Sequence, residues 1–235
     1  LQIPLCDHFP AMQHVRNVCR ALNRGEKERR DTFAVPSHVV ADLEAWRSEA
    51  LREIVPCVRE HSDTAPGYLF VDATTKGWGA ILVTPQQQVF VVADIFATPL
   101  LERLNADSNT PVIAVLELLA VIYAYNAFQT HMAQLTALHL FEDNTTVQYG
   151  LTKGNSSNAL IAELLSDFIR RTSDIVLPVH VHRIATADQP ADEPSRGKPL
   201  NHDKLAAFFA SPQFPDIVAT GKNSRLGAAR AVICV

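Results

Sequence analysis

The stretch from Tyr68 to Thr84 constrains the fold of this 235-residue chain more than any other. Leu69 to Val71 is apolar and predicts a buried strand, and Ala80 to Val83 predicts a second strand that returns beside it. The segment between them, Lys76 to Gly79, predicts a turn, because its two glycines accept backbone angles that other residues avoid. The result is an antiparallel hairpin with one carboxylate, Asp72, at the end of its first strand.

The elements that follow the hairpin predict a mixed α/β domain. A third strand, Val89 to Val92, continues the meander, and Ala97 to Thr110 is expected to form a loop. Beyond the loop, apolar periodicity predicts the order helix, strand, helix, helix, strand. These elements are the helix Val112 to Phe128, the strand Leu138 to Phe141, a short helix from Asn144, a longer helix from Ser157 to Arg171 and a last strand from Ile175 to Val181.

The chain divides into three parts. Residues 1 to 66 are expected to form a mostly helical extension, and residues 67 to 196 the mixed α/β domain. Residues 197 to 235 are expected to form a C-terminal extension with one helix from Asp203 to Ala210. The chain begins with Leu and carries no leader pattern, which indicates a segment of a longer polypeptide.

The charge balance limits the kind of partner that the chain binds. It has 21 Lys and Arg residues against 25 Asp and Glu residues, a net charge of −4, whereas most nucleic-acid-binding domains are strongly cationic. If four of the acids bind metal, 21 acids remain against 21 basic residues, and the rest of the chain is neutral. The charge therefore argues against a partner held mainly by a basic surface and leaves a metal-assisted contact with phosphate open.

Two further features concern the compartment. The four cysteines are scattered and form no C-x-x-C pair, so they are interpreted as free thiols in a reducing compartment, the cytoplasm or the nucleus. The apolar run from Pro111 to Phe128 has the length of a membrane span, but Glu117 at its centre is costly to insert. We therefore expect a buried core helix and no membrane partner.

Four acidic residues stand out by their positions. Asp72 and Asp143 each end a predicted strand. Glu117 interrupts the apolar helix, and Asp192 lies in a turn-rich segment after the last strand. Taken singly, each has a structural explanation as a cap or as a helix residue that faces water. Taken together, they fit one site at which two strand ends, a helix and a loop converge; Asp188 is the rival of Asp192 for the loop position.

Converging carboxylates indicate metal-ion chemistry. Like charges raise one another's pKa, so four acids in contact stay ionised only when cations neutralise them. Oxygen ligands without a companion Cys or His favour Mg²⁺ or Mn²⁺ over zinc. Two such ions about 3.5–4 Å apart activate a water and stabilise the leaving oxygen of a phosphoryl displacement. The pattern therefore predicts a two-metal phosphodiester hydrolase that uses Mg²⁺, with Mn²⁺ as the alternative ion.

The four acids lie in motifs that resemble those of a known family. The motifs are Asp72-Ala-Thr-Thr-Lys-Gly-Trp-Gly-Ala80, Glu117-Leu-Leu-Ala120, Asp143-Asn144 and Ala191-Asp-Glu-Pro-Ser-Arg196. In this order they are similar to the ribonuclease H domains of retroelement reverse transcriptases, and most similar to the DIRS and VIPER-like tyrosine-recombinase group. The resemblance covers Tyr68 to Arg196. Residues 1 to 66, with Asp42-Leu-Glu-Ala-Trp46, resemble the thumb or connection segment that precedes ribonuclease H in such polyproteins.

The resemblance implies a fold, a substrate and a set of site residues. The fold is a ribonuclease H-like mixed five-stranded sheet flanked by helices. The substrate is the RNA strand of an RNA/DNA hybrid, cut to leave a 3′-hydroxyl and a 5′-phosphate, and the polymerase part of the same polyprotein is a partner. The catalytic residues, which hold the two Mg²⁺ ions, would be Asp72, Glu117, Asp143 and Asp192. The residues near the nucleic acid would be Lys76, Asn144, Thr145, Lys153, Asn155 and Arg196.

Two other functions fit the same residues. Many members of the family place a mobile His before the fourth acid, but the loop before Asp192 has none, and no strongly basic helix is visible. These departures favour a non-catalytic ribonuclease H-like module that acts as a scaffold or binds protein in a larger assembly. A different nuclease on the same fold, such as an integrase or resolvase, is the third interpretation, and cleavage of duplex DNA would distinguish it.

Overall fold

The computed structural model describes residues 65–106, 111–172, 177–219 and 222–223, together with Val40, Ala41, Glu44 and Arg47. Those four N-terminal residues are helical and exposed. The helical extension expected over residues 1 to 66 otherwise lies outside the described residues, as does most of the chain after residue 219. The three domain boundaries drawn from the sequence therefore stay predictions.

A mixed β-sheet forms the centre of the described chain. Its strands are β1 Pro66–Ala73, β2 Gly77–Val83, β3 Val89–Ile95, β4 Ala137–Glu142, β5 Val179–Arg183 and β6 Lys222–Asn223. Strand β1 pairs antiparallel with β2, and β2 pairs antiparallel with β3, which gives the meander expected from the sequence. On its other side β1 pairs in parallel with β4, and β4 in parallel with β5, while β6 pairs antiparallel with β5. The spatial order is β3-β2-β1-β4-β5-β6.

Helices flank the sheet. They are α1 Thr98–Ala106, α2 Val112–Ala127, α3 Gln129–Met132, α4 Thr145–Lys153, α5 Ala159–Arg171, α6 Asp192–Ser195, α7 His202–Ala210 and α8 Phe214–Ala219. A 3₁₀ turn, Thr186–Asp188, lies between β5 and α6. The predicted architecture, a mixed five-stranded sheet flanked by helices, is confirmed, with the two-residue β6 as an addition at one edge.

The larger core lies between the sheet and α2. Strand β1 contributes Leu69 and Val71 to it, and β4 contributes Leu138 and Leu140. The helix α2 is apolar on nearly all sides, and such a helix belongs in the interior. The expectation of a buried core helix is therefore confirmed. In the part of the chain that the structure describes, no helix has both the length and the apolar character needed to cross a membrane.

The opposite face of the sheet has its own apolar cluster. Phe70 of β1 stacks on Phe141 of β4 with ring centroids 4.7 Å apart, and Phe208 of α7 packs edge-on against both rings. Aromatic pairs in these geometries stabilise a fold by about 0.5–1.5 kcal/mol beyond the burial of their area. The helix α7 is therefore packed on the same sheet that carries the hairpin.

The hairpin glycines do not serve the purpose expected from the sequence. Gly77 and Gly79 lie in β2, and neither has a positive φ, so the prediction of a turn over Lys76 to Gly79 was wrong in its bounds. The turn is closed instead by Thr74, whose N–H donates to the carbonyl of Gly77 at 2.8 Å and whose Oγ1 accepts the Gly77 N–H at 3.0 Å. The two glycines are needed because other backbone approaches them closely.

The expected loop from Ala97 to Thr110 contains a helix. Residues Thr98–Ala106 form α1, with Pro99 in the first turn, where its missing N–H breaks no helical hydrogen bond. Leucines one turn apart face the larger core, and Leu104 is buried there. This short amphipathic pattern was too brief to be distinguished from a loop by periodicity alone.

The strand β5 also differs from its expected bounds. The apolar run Ile175 to Val181 predicts the last strand, whereas β5 spans Val179–Arg183. Its pairing with β4 begins at Leu138 and ends at Glu142. The bounds of β5 therefore follow its pairing with β4, which cannot be predicted from the apolar run of β5 alone.

Candidate metal centre

Two aspartates lie side by side at the carboxyl edge of the sheet. The parallel strands β1 and β4 are in register at Phe70 and Phe141. Asp72 and Asp143 each follow two residues later, so both reach the same edge. Asp72 is buried at the end of β1, and Asp143 is half-buried directly after β4. The parallel register therefore brings together two acids that are far apart in the sequence.

Glu117 reaches the two aspartates from α2. It is only 4% exposed in an apolar helix, and the backbone N–H of Ala73 donates a hydrogen bond to its carboxylate. One carboxylate oxygen from each of Asp72, Glu117 and Asp143 lies within 4.8 Å of the other two. Three of the four acids singled out in the sequence thus meet in one place, and their role as metal ligands stays a prediction.

Hydrogen bonds fix the junction between β4 and α4, where Asp143 lies. The Asn144 side chain caps α4, because its oxygen accepts two backbone N–H groups of the first turn. The Thr186 hydroxyl donates to Oδ2 of Asp143 at 2.7 Å. Behind the junction, Oε1 of the fully buried Glu142 accepts the N–H of Asn144 at 3.1 Å. These contacts limit the motion of the Asp143 carboxylate.

A buried glutamine ties the loop after β5 to the strand ends. Gln189 has no exposed surface, and its Nε2 donates to the carbonyl of Val71 at 2.9 Å and to the carbonyl of Phe141 at 3.4 Å. Both carbonyls are within two residues of Asp72 and Asp143. The loop that leads to α6 is therefore fixed against the same edge of the sheet.

Ser195 connects α6 to Asp72. Its hydroxyl donates to Oδ2 of Asp72, and Oγ of Ser195 lies 2.9 Å from the carbonyl oxygen of Asp192. The backbone of α6 packs on β2 at Gly79, where an added Cβ would collide with the nitrogen of Ser195. The close approach of α6 to Gly79 therefore places the Ser195 hydroxyl on Asp72.

Asp192 lies near this group with its carboxylate paired to an arginine. Nη2 of Arg196 donates to Oδ1 of Asp192 at 2.7 Å, and Nε donates to the same oxygen at 3.0 Å. The charge of Asp192 still raises the pKa of Asp72, so the acid is close to the site. Its rival, Asp188, is exposed in the 3₁₀ turn. Among the described residues the three-acid group contains neither, and the identity of the fourth ligand stays a prediction.

The residues expected near the nucleic acid differ in their surroundings. Lys76 is exposed in the turn between β1 and β2, and Thr145 is exposed in the first turn of α4, next to the acids. Lys153 is exposed at the end of α4. Asn155 accepts the N–H of its neighbour at 2.8 Å, while Arg196 is engaged by an acid. Their contacts with nucleic acid stay predictions.

Three residues of the site were not singled out as candidates from the sequence: Glu142, Gln189 and Ser195. Ser195 lies inside the last motif, and Glu142 directly precedes Asp143, so each is next to an acid that the motif already accounts for. A signal for Glu142 existed, because it follows Leu138 and Leu140 at the two-residue period of a strand with an inward face. Gln189 has no local signal, since its partners are distant in the sequence.

Burial and mutual repulsion raise the pKa values of the acids. Burial raises the pKa of Asp72 to about 6, with the Ser195 hydrogen bond opposing the shift and the charges of Asp143 and Asp192 adding to it. Burial, together with the charges of Asp72 and Asp143, raises the pKa of Glu117 to about 9. Without a cation these acids therefore retain protons at pH values where exposed carboxyls are ionised.

The donor set fits a divalent cation that prefers oxygen. The three-acid group contains carboxylates and no His or Cys. Oε2 of Glu117 and Oε2 of Glu142 are buried without a hydrogen-bond partner, although buried polar atoms are normally paired. A cation would satisfy such oxygens and remove the repulsion between the acids. Asp72, Glu117 and Asp143 are therefore suited to hold Mg²⁺ or Mn²⁺.

In EDTA, the contribution of these acids to the free energy of unfolding is expected to fall as the pH rises from about 4 to about 8. Asp72 and Glu117 have pKa values of about 6 and about 9 in the folded state against 3.8 and 4.5 for the free side chains, so the folded state binds more protons. The stabilisation that these two acids contribute is complete below their free-side-chain pKa values. It is lost as the pH rises through their pKa values in the folded protein. Asp72 alone accounts for about 3 kcal/mol of this loss.

Urea unfolding in EDTA at several pH values measures this slope. Asp72→Asn should flatten the slope between about pH 4 and pH 6, because Asn takes up no proton. Asp203→Asn, at an exposed position in the first turn of α7, should leave it unchanged. Saturating Mg²⁺ should stabilise the protein more at high pH, because it binds the ionised acids. Equal slopes for the wild-type protein and Asp72→Asn would contradict the assignment.

Ribonuclease H structures are among the solved structures that are similar to this chain. RNase H1 from the halophilic archaeon Halobacterium salinarum NRC-1 is 16% identical, with a TM-score of 0.40, over 55% of this chain and 92% of that one. The N-terminal RNase H domain of a Mycobacterium tuberculosis protein is 12% identical, with a TM-score of 0.41, over 63% and 99%. A foamy viral protease-reverse transcriptase in complex with double-stranded DNA is 13% identical, with a TM-score of 0.32, over 77% and 34%. No protein-family model and no curated protein matches the chain, so a proposal for its function has to be argued from the geometry of the site.

Proposed function

We propose that this chain is a metal-dependent ribonuclease H that hydrolyses the RNA strand of RNA/DNA hybrids. The observation that carries the proposal is the convergence of Asp72, Glu117 and Asp143, with one oxygen of each within 4.8 Å of the others. The motifs around these acids resemble ribonuclease H domains of retroelement reverse transcriptases, most closely the DIRS and VIPER-like group. This resemblance supports a role in reverse transcription as part of a reverse transcriptase polyprotein.

Two Mg²⁺ ions, or Mn²⁺ in their place, are the proposed cofactors, with Asp192 as the fourth ligand. When bound, such ions supply an activated water and stabilisation of the leaving oxygen. The chain holds the acids in position: Ser195 donates to one oxygen of Asp72, and Thr186 donates to one oxygen of Asp143. Burial of the acids strengthens their attraction for a cation, because the effective dielectric constant inside a protein is low.

Exposed side chains around the carboxyl edge suit a nucleic-acid backbone. Lys76 is exposed in the turn that follows β1, and Thr145 is exposed at the start of α4, two residues after Asp143. Phosphate contacts supply affinity, and contacts to 2′-hydroxyl groups would select RNA. Because the net charge is −4, we infer that the polymerase part of the polyprotein supplies much of the grip on the hybrid.

Cleavage of an RNA/DNA hybrid labelled on each strand, in Mg²⁺ and in Mn²⁺, tests the proposal. Only the RNA strand should be cut, leaving a 3′-hydroxyl and a 5′-phosphate. Asp143→Asn should remove the activity, because it replaces an anionic ligand with a neutral amide of the same size. Asp203→Asn, on the exposed part of α7, should keep it. Undiminished cleavage by Asp143→Asn would refute the proposal, and preferred cleavage of duplex DNA would favour an integrase-like or resolvase-like nuclease.

A non-catalytic scaffold is the second candidate. The pairing of Asp192 with Arg196 favours it, because this contact occupies the acid expected to be the fourth ligand. A scaffold would bind no second metal ion and would cut no hybrid at protein concentrations where the hybrid is bound. Fluorescence anisotropy of the labelled hybrid establishes that binding, so the absence of cleavage then distinguishes the two candidates.

A further inference from the structure

Glu142 is a buried carboxyl group that the proposed function leaves without a task. It is the last residue of β4 and has no exposed surface. Side chains alternate along a strand, so Glu142 lies on the same side of β4 as Leu138 and Leu140, which pack in the core with α2. The carboxyl group therefore points to the side of the sheet from which Glu117 approaches.

Only one of the two oxygens of Glu142 has a partner. Oε1 accepts the N–H of Asn144 at 3.1 Å, whereas Oε2 is buried with no hydrogen bond. Oε2 of Glu117 is in the same condition. Glu142 directly precedes Asp143 in the chain, and its side chain lies on the face of β4 that packs against α2, the helix that carries Glu117. Burial raises the pKa of Glu142, and the charge of Glu117 adds to the shift.

A carboxyl group in this position is not explained by packing. Burying an unpaired charge or an unsatisfied oxygen destabilises a protein, and an apolar side chain of similar volume would avoid that cost. Acceptance of the Asn144 N–H needs only one oxygen, and a hydroxyl or an amide would supply it. The second oxygen is buried without a hydrogen bond, so it needs a cation or a proton as its partner.

We propose that Glu142 is a further carboxylate of the metal centre, facing the cation from the protein interior through its unpartnered Oε2. The proposal rests on the metal-dependent function proposed above. Glu142 is outside the group whose ligand atoms lie within 4.8 Å of one another, so its proposed contribution is its charge behind Asp72, Glu117 and Asp143 and not a place among those three. It adds negative charge on the buried side of the site, whereas Asp192 and Arg196 lie on the exposed side.

Titration of the full chain with Mn²⁺ by isothermal calorimetry, without any substrate, tests this role. Glu142→Gln keeps an oxygen for the Asn144 N–H and removes the charge, so it separates ion binding from positioning of the junction. We expect Mn²⁺ affinity to fall by roughly 10–100-fold, the range seen when partners of a metal site are removed. Glu163→Gln, at an exposed position of α5, is the matched control and should bind Mn²⁺ like the wild-type protein.

The outcomes separate this inference from the proposed function. Affinity that is unchanged in Glu142→Gln but lost in Asp72→Asn would overturn the role of Glu142 and leave the metal centre intact. Absence of Mn²⁺ binding by the wild-type protein would overturn both. If Glu142→Gln lacks the circular dichroism spectrum of the folded protein, Glu142→Asp decides instead: it keeps the charge but withdraws it by one methylene, and unchanged affinity would overturn the proposal.

Discussion

Replacing Glu117 by Gln is expected to lower the rate of hybrid cleavage by about a thousandfold and to raise the stability of the metal-free protein. The loss of rate follows from the loss of a proposed carboxylate ligand, which would remove several kcal/mol of transition-state stabilisation, and about 4 kcal/mol corresponds to a thousandfold. The gain in stability follows from the position of Glu117, which is 4% exposed in an apolar helix beside two other acids.

The sign of the stability change comes from proton uptake. At pH 8 Glu117 is ionised in the unfolded chain, with a pKa near the ordinary value of 4.5, but its pKa in the folded protein is about 9. Folding at pH 8 must therefore protonate this group, which opposes folding by a few kcal/mol. Gln is neutral in both states and nearly the same size, so the substitution removes that opposition.

Urea unfolding in EDTA at pH 8 and cleavage assays in Mg²⁺ measure the two effects on the same preparation. Glu163→Gln, on the exposed side of α5, makes the same chemical change at a place where neither quantity should move. A Glu117→Gln protein that is less stable than the wild type in EDTA would show that the carboxylate is not strained by its surroundings. Full cleavage by that protein would show that Glu117 is not a metal ligand needed for the reaction.

The sequence predicted the site better where its residues sit on strongly patterned elements. Asp72, Glu117 and Asp143 stand out because each interrupts or ends an apolar run, and burial of such a run leaves an acid that needs a partner. The meander and the buried helix follow from the same runs. What brings the three acids together, the parallel pairing of β1 with β4, is a non-local contact, and the sequence could only suggest it by the order of elements.

The contacts that complete the site were not predictable from local patterns. Gln189 binds backbone carbonyls of β1 and β4, and Ser195 binds Asp72, so each depends on a partner more than 100 residues away. The ion pair between Asp192 and Arg196 is local, and it engages the acid that the sequence predicts as the fourth ligand. The partner that a carboxylate takes depends on distances, which motifs do not encode.

Gly79 is a glycine that the sequence assigned to a turn, but its lack of a side chain serves a close contact instead. A glycine in a hairpin suggests a turn, yet Gly79 lies in β2 and lacks a positive φ. Its role is to admit α6: an added Cβ would collide with the nitrogen of Ser195 and lie 2.7 Å from the carbonyl carbon and from Cβ of Pro194. These are mainly backbone atoms in a tight contact, so they cannot move without moving α6.

Gly79→Ala is therefore expected to lower the free energy of unfolding by about 2–3 kcal/mol and hybrid cleavage by about a hundredfold. Overpacking of a rigid contact costs about 1–3 kcal/mol, and a displacement of about 1 Å in a catalytic site costs about a hundredfold in rate. The rate is expected to fall because α6 carries the Ser195 hydroxyl that donates to Asp72, so moving α6 away from β2 moves one acid of the proposed metal centre.

Gly67→Ala is the matched control, because an added Cβ there meets the terminal methyl carbons of Leu135, which can rotate away. It should lower the free energy of unfolding by less than about 1 kcal/mol and leave cleavage near that of the wild type. Urea unfolding and single-turnover cleavage at saturating hybrid measure both quantities. If Gly79→Ala lost stability but cleaved at the wild-type rate, Ser195 would have no part in positioning Asp72, and the contact between α6 and β2 would serve the fold alone.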